Sequence, residues 1–431
     1  MDTLLFQIKK LIPKGLFHKL QPTYHYFMAW LGAVLYRFPS NELKVVFITG
    51  TKGKSSTTEI LNAILEAGGK KTAVLGTIRI KVGEHSRPNN YKMTVPGRFF
   101  VHKFMRQAAN AGCEYVVMEM TSGAVLQYRH KFINYDALIF LNLSPEHIEQ
   151  HGGYENYISA KVELAKTLEE SPKHNKVLVV NNDDKESFRF INAAPSAKVQ
   201  TFTLKKAEPY MHDPFGLYLT YGGLNMRSHL QGTFNIYNIL AALTYASTQG
   251  IKPEEMQVGL NALKGIAGRV QKIELPADHP QAKKQNFTVV VDYAHTADSL
   301  EKVYSVFKET RKICVLGNTG GGRDTWKRPE MAKVANDNCS HIILTNEDPY
   351  DEDPREIINQ MLPGITATPH EVIMDRRSAI HKAISLAKKG DAVIITGKGT
   401  DPYIMEANNK KTRWSDAKVA AEELETVLLE K

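Results

Sequence analysis

A chain of 431 residues exceeds what one hydrophobic core supports and implies two or three domains, while 42% hydrophobic and 23% charged residues are ordinary for a globular protein. The net charge of +9 suits an anionic ligand, but Lys and Arg form no long block and no zinc-finger or aromatic RNA-binding signature accompanies them, so nucleic-acid binding is not expected. Cys113, Cys314 and Cys339 lie far apart without a C-x-x-C pair, which argues against a zinc ribbon or disulfide scaffold, fits a reducing, cytoplasmic compartment and leaves them as small apolar residues.

Residues 1–42 place Lys9, Lys10, Lys14 and Lys19 ahead of an apolar run from Tyr24 to Tyr36. His25 interrupts that run, which is shorter than the roughly 20 residues of a bilayer span, and no small-residue cleavage site follows it. Two readings stand: a helical segment packed on the next domain, or a basic, aromatic-rich helix in weak contact with the inner membrane surface.

From Val45 to Thr49 the residues are β-branched or aromatic and suit a buried parallel strand. The loop Gly50-Thr51-Lys52-Gly53-Lys54-Ser55-Ser56 follows, and then Ile60, Leu61, Ile64 and Leu65 recur at helical spacing. Strand, glycine loop and helix in this order make a phosphate site, because the glycines let backbone approach an anion and free N–H groups at the helix start point at it. Lys54 would reach the outer phosphates and the Ser55 hydroxyl would bind Mg²⁺. The loop is shorter than G-x-x-x-x-G-K-[ST], whose first glycine would fall at Ile48.

Further apolar runs at Thr72–Gly76, Tyr115–Met120, Ala137–Asn142 and Val177–Asn181, separated by helical stretches, predict an α/β fold with a doubly wound, mostly parallel sheet. Sites in such sheets lie at the carboxyl ends of strands, where Glu119 could hold Mg²⁺. His147 and His151 follow the next strand, but Pro145, Gly152 and Gly153 flank them and no third ligand is obvious, so zinc is not expected. Lys161 sits between Ala160 and Val162, where a lysine alone is usually a solvated charge. Asn235 and Asn238 share a helix face and could read an adenine edge or cap the helix.

A second, smaller Rossmann-like α/β domain begins near Gly268. Its strands end in Asp292-Tyr293-Ala294-His295, Gly317, Thr345-Asn346 and Thr396-Gly397-Lys398-Gly399, and a glycine cluster precedes Arg323-Asp324. Polar and glycine residues at each strand end are expected where a sheet edge lines a cleft, and Arg323 would clamp an anion. The expected domains are 1–42, 43–267 and 268–431.

Together these motifs resemble the Mur ligase family of ATP-dependent amide-forming enzymes in peptidoglycan assembly, over about residues 43–420, and within it the branch that adds the third residue of the stem peptide. The carriers are the loop at 50–56, Glu119 to Arg129, His147 to Lys161, Asp292 to Thr296, Arg323-Asp324 with Lys327-Arg328-Pro329, and Gly397-Lys398-Gly399. The resemblance implies ATP and Mg²⁺ as cofactors, with Lys54, Glu119, His147 and Lys161 as catalytic residues. It implies Ser55, Glu119, His147 and Lys161 as metal contacts, Lys161 matching a carbamylated lysine. Asn238, Arg269, Asp292 and His295 match nucleotide-contacting positions, and Thr94, Thr121, Gln127 and Arg129 match positions that grip a UDP-muramoyl-dipeptide.

Departures bear on the substrates. The family normally begins with a longer uridine-binding domain than 42 residues allow, its T-T-P appears as Thr94-Val95-Pro96, and its S-S-H as Thr121-Ser122-Gly123. The acceptor motif D-N-P-R appears as Glu347-Asp348-Pro349-Tyr350, and Tyr350 cannot make arginine's two-pronged bridge to a carboxylate, so meso-diaminopimelate is not the expected acceptor. Acidic Glu347, Asp348, Asp351, Glu352 and Asp353 would suit a cationic amino acid such as L-lysine, or form a solvated loop. Asp401 keeps the acid of the family's G-K-G-H-E one methylene shorter, beside Gly397.

The implied reaction adds an amino acid to UDP-N-acetylmuramoyl-L-alanyl-D-glutamate through an acyl phosphate, in a monomer whose C-terminal domain closes over the nucleotide. The competing readings are another amide ligase of this family, of folylpolyglutamate, cyanophycin or lipid-linked type, and a phosphate-loop binding protein without catalysis.

Overall fold

The computed structural model describes residues 14–146, 148–213 and 215–430. They group into two compact units, the first comprising 14–146, 154–206 and 237–259, the second 148–153, 207–236 and 260–430.

The first unit starts with helix α1 (Lys14–Leu35), strand β1 (Lys44–Thr49) and helix α2 (Lys54–Ala67). Strands β2 (Thr72–Leu75), β3 (Arg79–Val82) and β4 (His85–Pro88), helix α3 (Arg98–Asn110), strand β5 (Tyr115–Glu119) and the short helix α4 (Ser122–Leu126) follow. Strand β6 (Ala137–Phe140), helix α5 (Tyr154–Glu170), strands β7 (Val177–Asn181) and β8 (Lys198–Phe202), and most of helix α6 (Phe234–Thr248) complete it. The sheet order is β4-β3-β2-β5-β1-β6-β7-β8, parallel from β2 to β8, with β3 and β4 added as an antiparallel hairpin.

Every β1 residue after Lys44 is buried, as expected of a strand covered on both faces. On one face Val45, Phe47, Met118, Leu138 and Phe140 pack with Val101, Phe104 and Met105 of α3 and Ile158 and Leu164 of α5. The crossover after β1 runs to one side of the sheet and that after β5 to the other, so the loops leaving these adjacent strands diverge and open a crevice at their carboxyl ends. Register places Ile48 beside Glu119 and Thr49 beside Phe140, so the glycine loop, Glu119 and Asn142 share one edge.

Helix α1 lies against α3. A Cβ at Gly32 would come 3.1 Å from His102, and Arg106 donates to Tyr36 O at 3.1 Å. Its other side leaves Leu20, Tyr24, Phe27 and Trp30 exposed at three- and four-residue spacing. Among the described residues no helix is long and apolar enough to cross a membrane.

Two buried histidines give this unit a pH dependence. Both ring nitrogens of His130 and Nδ1 of His102 lack a hydrogen-bond partner, and burial pulls their pKa values down to about 3 and about 4. They stay neutral in the folded chain while the unfolded chain takes up protons near 6.5, so stability is full above that value and falls as pH drops towards 4. We expect each to cost about 2–3 kcal/mol near pH 4.5. His130→Leu should therefore flatten the fall of the urea midpoint between about pH 7 and pH 4.5 relative to the parent chain; an unchanged slope would contradict this.

The second unit carries a small antiparallel sheet of β9 (Met211–Asp213), β10 (Gly216–Tyr221) and β11 (Leu224–Ser228). Its main sheet contains β12 (Gln271–Lys272), β13 (Thr288–Val291), β14 (Lys312–Leu316), β15 (His341–Leu344), β16 (His370–Val372) and β17 (Ala392–Ile395) in the order β12-β13-β17-β14-β15-β16, all parallel except β12. Alternate strand residues enter two apolar layers. Val289, Val291, Ile313 and Val393 face helices α10 (Arg376–Ser385) and α11 (Asp416–Glu430), whereas Val290, Leu316, Ile342 and Ile394 face α7 (Ala297–Val306), α8 (Lys327–Asn338) and α9 (Pro354–Met361).

Cys314 and Cys339 are not separate apolar residues but form a disulfide, with Cα atoms 6.1 Å apart. The β14–α8 crossover folds residue 339 back beside β14, a proximity that separation along the chain conceals. Cys113 is free and buried.

Candidate active site

The candidate residues form one group on each unit. In the first unit the glycine loop is held mainly from the segment after β6. Asn142 accepts from Lys52 N at 2.9 Å and donates to Lys52 O at 3.1 Å, while Thr51 N donates to Asn142 O at 2.9 Å. Thr51 Oγ1 lies 2.9 Å from Tyr157 Oη and accepts from Ser144 N at 3.0 Å, and Lys52 pairs with Glu146 at 3.2 Å. Gly53 caps α2 in the left-handed region at φ 86°, and a Cβ there would lie 2.2 Å from Asn238 Oδ1. Thr57 also donates to Asn238 at 3.4 Å. Asn238, expected at the nucleotide, therefore packs beside the loop, while Asn235 donates to Gln231 O at 2.7 Å.

Lys54 Nζ donates to Gly50 O at 2.7 Å and Thr51 O at 3.0 Å, and Lys161 Nζ donates to the same Gly50 O at 2.8 Å. Lys161 is fully buried, with its amine 5.0 Å from the Tyr157 ring centre. Burial, reinforced by Lys54 and opposed by Glu146, holds that amine well below the usual lysine range. It is not the solvated charge that its neighbours in sequence suggest.

Glu119 receives the Ser55 hydroxyl at 3.0 Å, Thr77 N at 2.6 Å and Thr77 Oγ1 at 3.0 Å. Two hard oxygens, from Ser55 and Glu119, thus meet at the helix start, a donor set that fits Mg²⁺, which takes few protein ligands and keeps several waters. His147 lies outside the described residues. Among the described residues no cluster of three or more His, Cys, Asp or Glu is placed to hold a metal ion.

From Glu119 the polar contacts continue. Thr77 Oγ1 lies 2.9 Å from Thr94 Oγ1, and the next residue, Val95, accepts from Arg129 through its carbonyl. Arg129 also donates to Gln127 Oε1 at 2.7 Å. Thr94, Val95, Gln127 and Arg129 are thereby brought together, whereas the Thr121 side chain caps α4 by accepting from Ala124 N at 3.1 Å.

In the second unit Asp292 accepts from Val270 N and Ala294 N, each at 2.7 Å, and burial raises its pKa against the pull of Arg269. The Arg269 guanidinium lies 4.7 Å over the Tyr293 ring, and His295 Nδ1 lies 2.7 Å from Tyr293 O. Glu347 and Asp348 are buried rather than part of a solvated loop. Asp348 accepts from Lys398 at 2.8 Å and from Met405 N at 2.8 Å, and Lys398 also faces Asp401 at 3.4 Å. Burial lowers the Lys398 pKa, but Asp401, Asp348 and Glu347 outweigh it and keep the ammonium charged. Glu347 Oε1 accepts from Thr319 at 2.7 Å, Oε2 has no partner, and a Cβ at Gly397 would lie 2.5 Å from that oxygen. Tyr350 adopts φ 52°, and Arg323 is exposed.

Sequence reasoning missed Thr77, Asn142 and Lys398 as site residues. Lys398 stood inside the quoted Gly397-Lys398-Gly399, and Asn142 ended a quoted run. Thr77 had no sequence signal, because its role depends on the loop after β2 turning back to Glu119.

Comparison with known proteins bears on this arrangement. The Mur ligase middle domain family model matches residues 48–246, and the Mur ligase, glutamate ligase domain model matches residues 279–399. A Syntrophomonas wolfei protein named UDP-N-acetylmuramoyl-L-alanyl-D-glutamate--2,6-diaminopimelate ligase is 35% identical over 410 residues, covering 92% of this chain and 81% of its own. A Roseiflexus protein named UDP-N-acetylmuramyl-tripeptide synthetase is 35% identical over 405 residues, covering 88% and 78%. A solved UDP-N-acetylmuramoyl-L-alanyl-D-glutamate--2,6-diaminopimelate ligase superposes with a TM-score of 0.60 at 28% identity, covering 89% of this chain and 78% of its own. Mycobacterium tuberculosis folylpolyglutamate synthase superposes at 0.67 with 16% identity, covering 92% and 96%, a likeness of fold alone.

Proposed function

Since this chain belongs to the Mur ligase family and is an ATP-dependent, ADP-forming amide ligase, we propose that it extends UDP-N-acetylmuramoyl-L-alanyl-D-glutamate by one amino acid in peptidoglycan synthesis. The observation that carries this reading is the continuous polar path from Ser55 through Glu119, Thr77 and Thr94 to the Val95–Arg129–Gln127 group. It links a phosphate loop to cationic and amide groups suited to a carboxylate-bearing donor.

In this reading Lys54 and the N–H groups at the start of α2 neutralise the γ-phosphoryl group as a donor carboxylate attacks it, forming an acyl phosphate and releasing ADP. The acceptor amine then attacks the acyl carbon and phosphate leaves. Ser55 and Glu119 would hold Mg²⁺, which supplies charge neutralisation between phosphate and carboxylate. Carbon dioxide adds to the unprotonated form of an amine, the form that burial favours at Lys161, and the resulting carbamate would place an anion beside the phosphate loop. Arg269, Asp292 and His295 are assigned to the nucleotide, and Arg323, Glu347, Asp348, Tyr350, Gly397 and Asp401 to the acceptor.

The proposed acceptor has an amine at its side-chain end, L-lysine being the simplest. Lys398 and Arg323 offset two of the three acids Glu347, Asp348 and Asp401, which leaves one net negative charge, and Tyr350 stands where the family's acceptor motif has the arginine that reads the carboxylate of diaminopimelate. The test is product mass after incubation with the UDP-muramoyl-dipeptide, ATP, Mg²⁺ and a mixture containing L-lysine and meso-diaminopimelate. A lysine adduct is expected. A diaminopimelate adduct would overturn the acceptor assignment, and turnover only with an oligoglutamyl pterin would overturn the donor.

A further inference from the structure

Arg98 is the first residue of α3 and belongs to none of the motifs quoted above. Its Nε donates to Gln127 O at 2.7 Å, while Arg129 donates to the Oε1 of the same glutamine at 2.7 Å, so Gln127 draws the two guanidinium groups together. No carboxylate among the described residues pairs with either of them. Arg98 Nη2 and Arg129 Nε are both buried without a hydrogen-bond partner, although Arg129 is only 9% exposed. Burial, followed by repulsion from Arg129, pulls the Arg98 pKa down to about 10, and burial lowers that of Arg129 as well.

Two neighbouring cations with unmet donors are a costly arrangement for a folded chain by itself, and an anion placed against both removes the cost. The α3 start adds free N–H groups, because its cap residue Gly97 has no side chain to satisfy them. We propose that Arg98 and Arg129 together seat the donor carboxylate that does not react, making Arg98 a residue that selects a dicarboxylate end. This rests on the donor reading above. A glutamyl terminus carries two carboxylates: one loses its charge when it becomes the acyl phosphate, and the other stays anionic throughout. The polar path from Glu119 to Val95 joins the phosphate loop to the arginine pair, which suits a ligand whose two acid groups have different fates.

The test compares the parent chain with Arg98→Met and Arg98→Lys on two donors, UDP-N-acetylmuramoyl-L-alanyl-D-glutamate and its analogue with the non-reacting carboxylate amidated. Arg98→Met should raise the KM for the free acid about 10- to 100-fold and erase most of the preference over the amide. KM for ATP and amino acid, and kcat at saturating donor, should stay within about twofold. Arg98→Lys should recover part of the preference. An unchanged KM and preference in a folded Arg98→Met chain would reduce Arg98 to an anchor of Gln127 and overturn the proposal while leaving the ligase reading intact. If the parent chain turns over neither donor, the function reading falls, and inorganic sulfate decides the seat. At matched ionic strength sulfate should raise the melting temperature of the parent above that of Arg98→Met, and equal shifts would overturn the seat.

Discussion

Lys54→Ala is expected to abolish amine-dependent ADP release, lowering kcat by about 10³-fold or more while leaving the fold intact. In the structure Lys54 satisfies the carbonyls of Gly50 and Thr51, and Lys161 already donates to Gly50 O, so that carbonyl is not orphaned by the change. The loop is fixed instead through Asn142, Ser144 and Glu146. Loss of activity should therefore come without a large fall in melting temperature. Lys54 also lowers the Lys161 pKa by repulsion, so its removal should make Lys161 easier to protonate. Near-normal turnover in the variant would remove phosphate activation at this loop from the account.

The second large effect is expected at Lys161, where stability and activity should move in opposite directions. Its folded pKa is depressed and its unfolded counterpart holds a proton below 10.5, so the bare amine weakens the fold increasingly as pH falls below that value. Lys161→Met keeps the length of the side chain and removes the buried amine. At neutral pH in buffer freed of carbon dioxide the variant should be about 1–3 kcal/mol more stable than the parent. Adding bicarbonate should raise the stability and turnover of the parent but not of the variant, whose kcat should be about 10²-fold lower or worse. Equal responses of the two proteins to bicarbonate would exclude a carbamate role.

How much of this was legible in the sequence depended on burial. β1, β5, β6 and β7 are covered on both faces, so each is a continuous apolar run that marks itself. β3 and β4 lie at the sheet edge and mix Arg, Lys, His and Ser into short segments, and no such run announces them. The β10–β11 hairpin carries a signal in Gly222-Gly223, a dipeptide suited to a tight turn between Tyr221 and Leu224, but its short strands lack the long apolar run of the central sheet. At the site, Glu119 and Ser55 were legible because strand ends and helix starts are where such sheets place chemistry. The lowered pKa of Lys161, the burial of Glu347 and the pairing of Cys314 with Cys339 arise from what the fold packs around each residue, which no local pattern encodes.

The grip of Asn142 on both backbone groups of Lys52 has a thermodynamic consequence. A loop already frozen by its neighbours surrenders little chain entropy when nucleotide docks, so more of the contact energy appears as affinity. The tightness of that grip is thus encoded about ninety residues downstream of the loop itself, on the far side of β6.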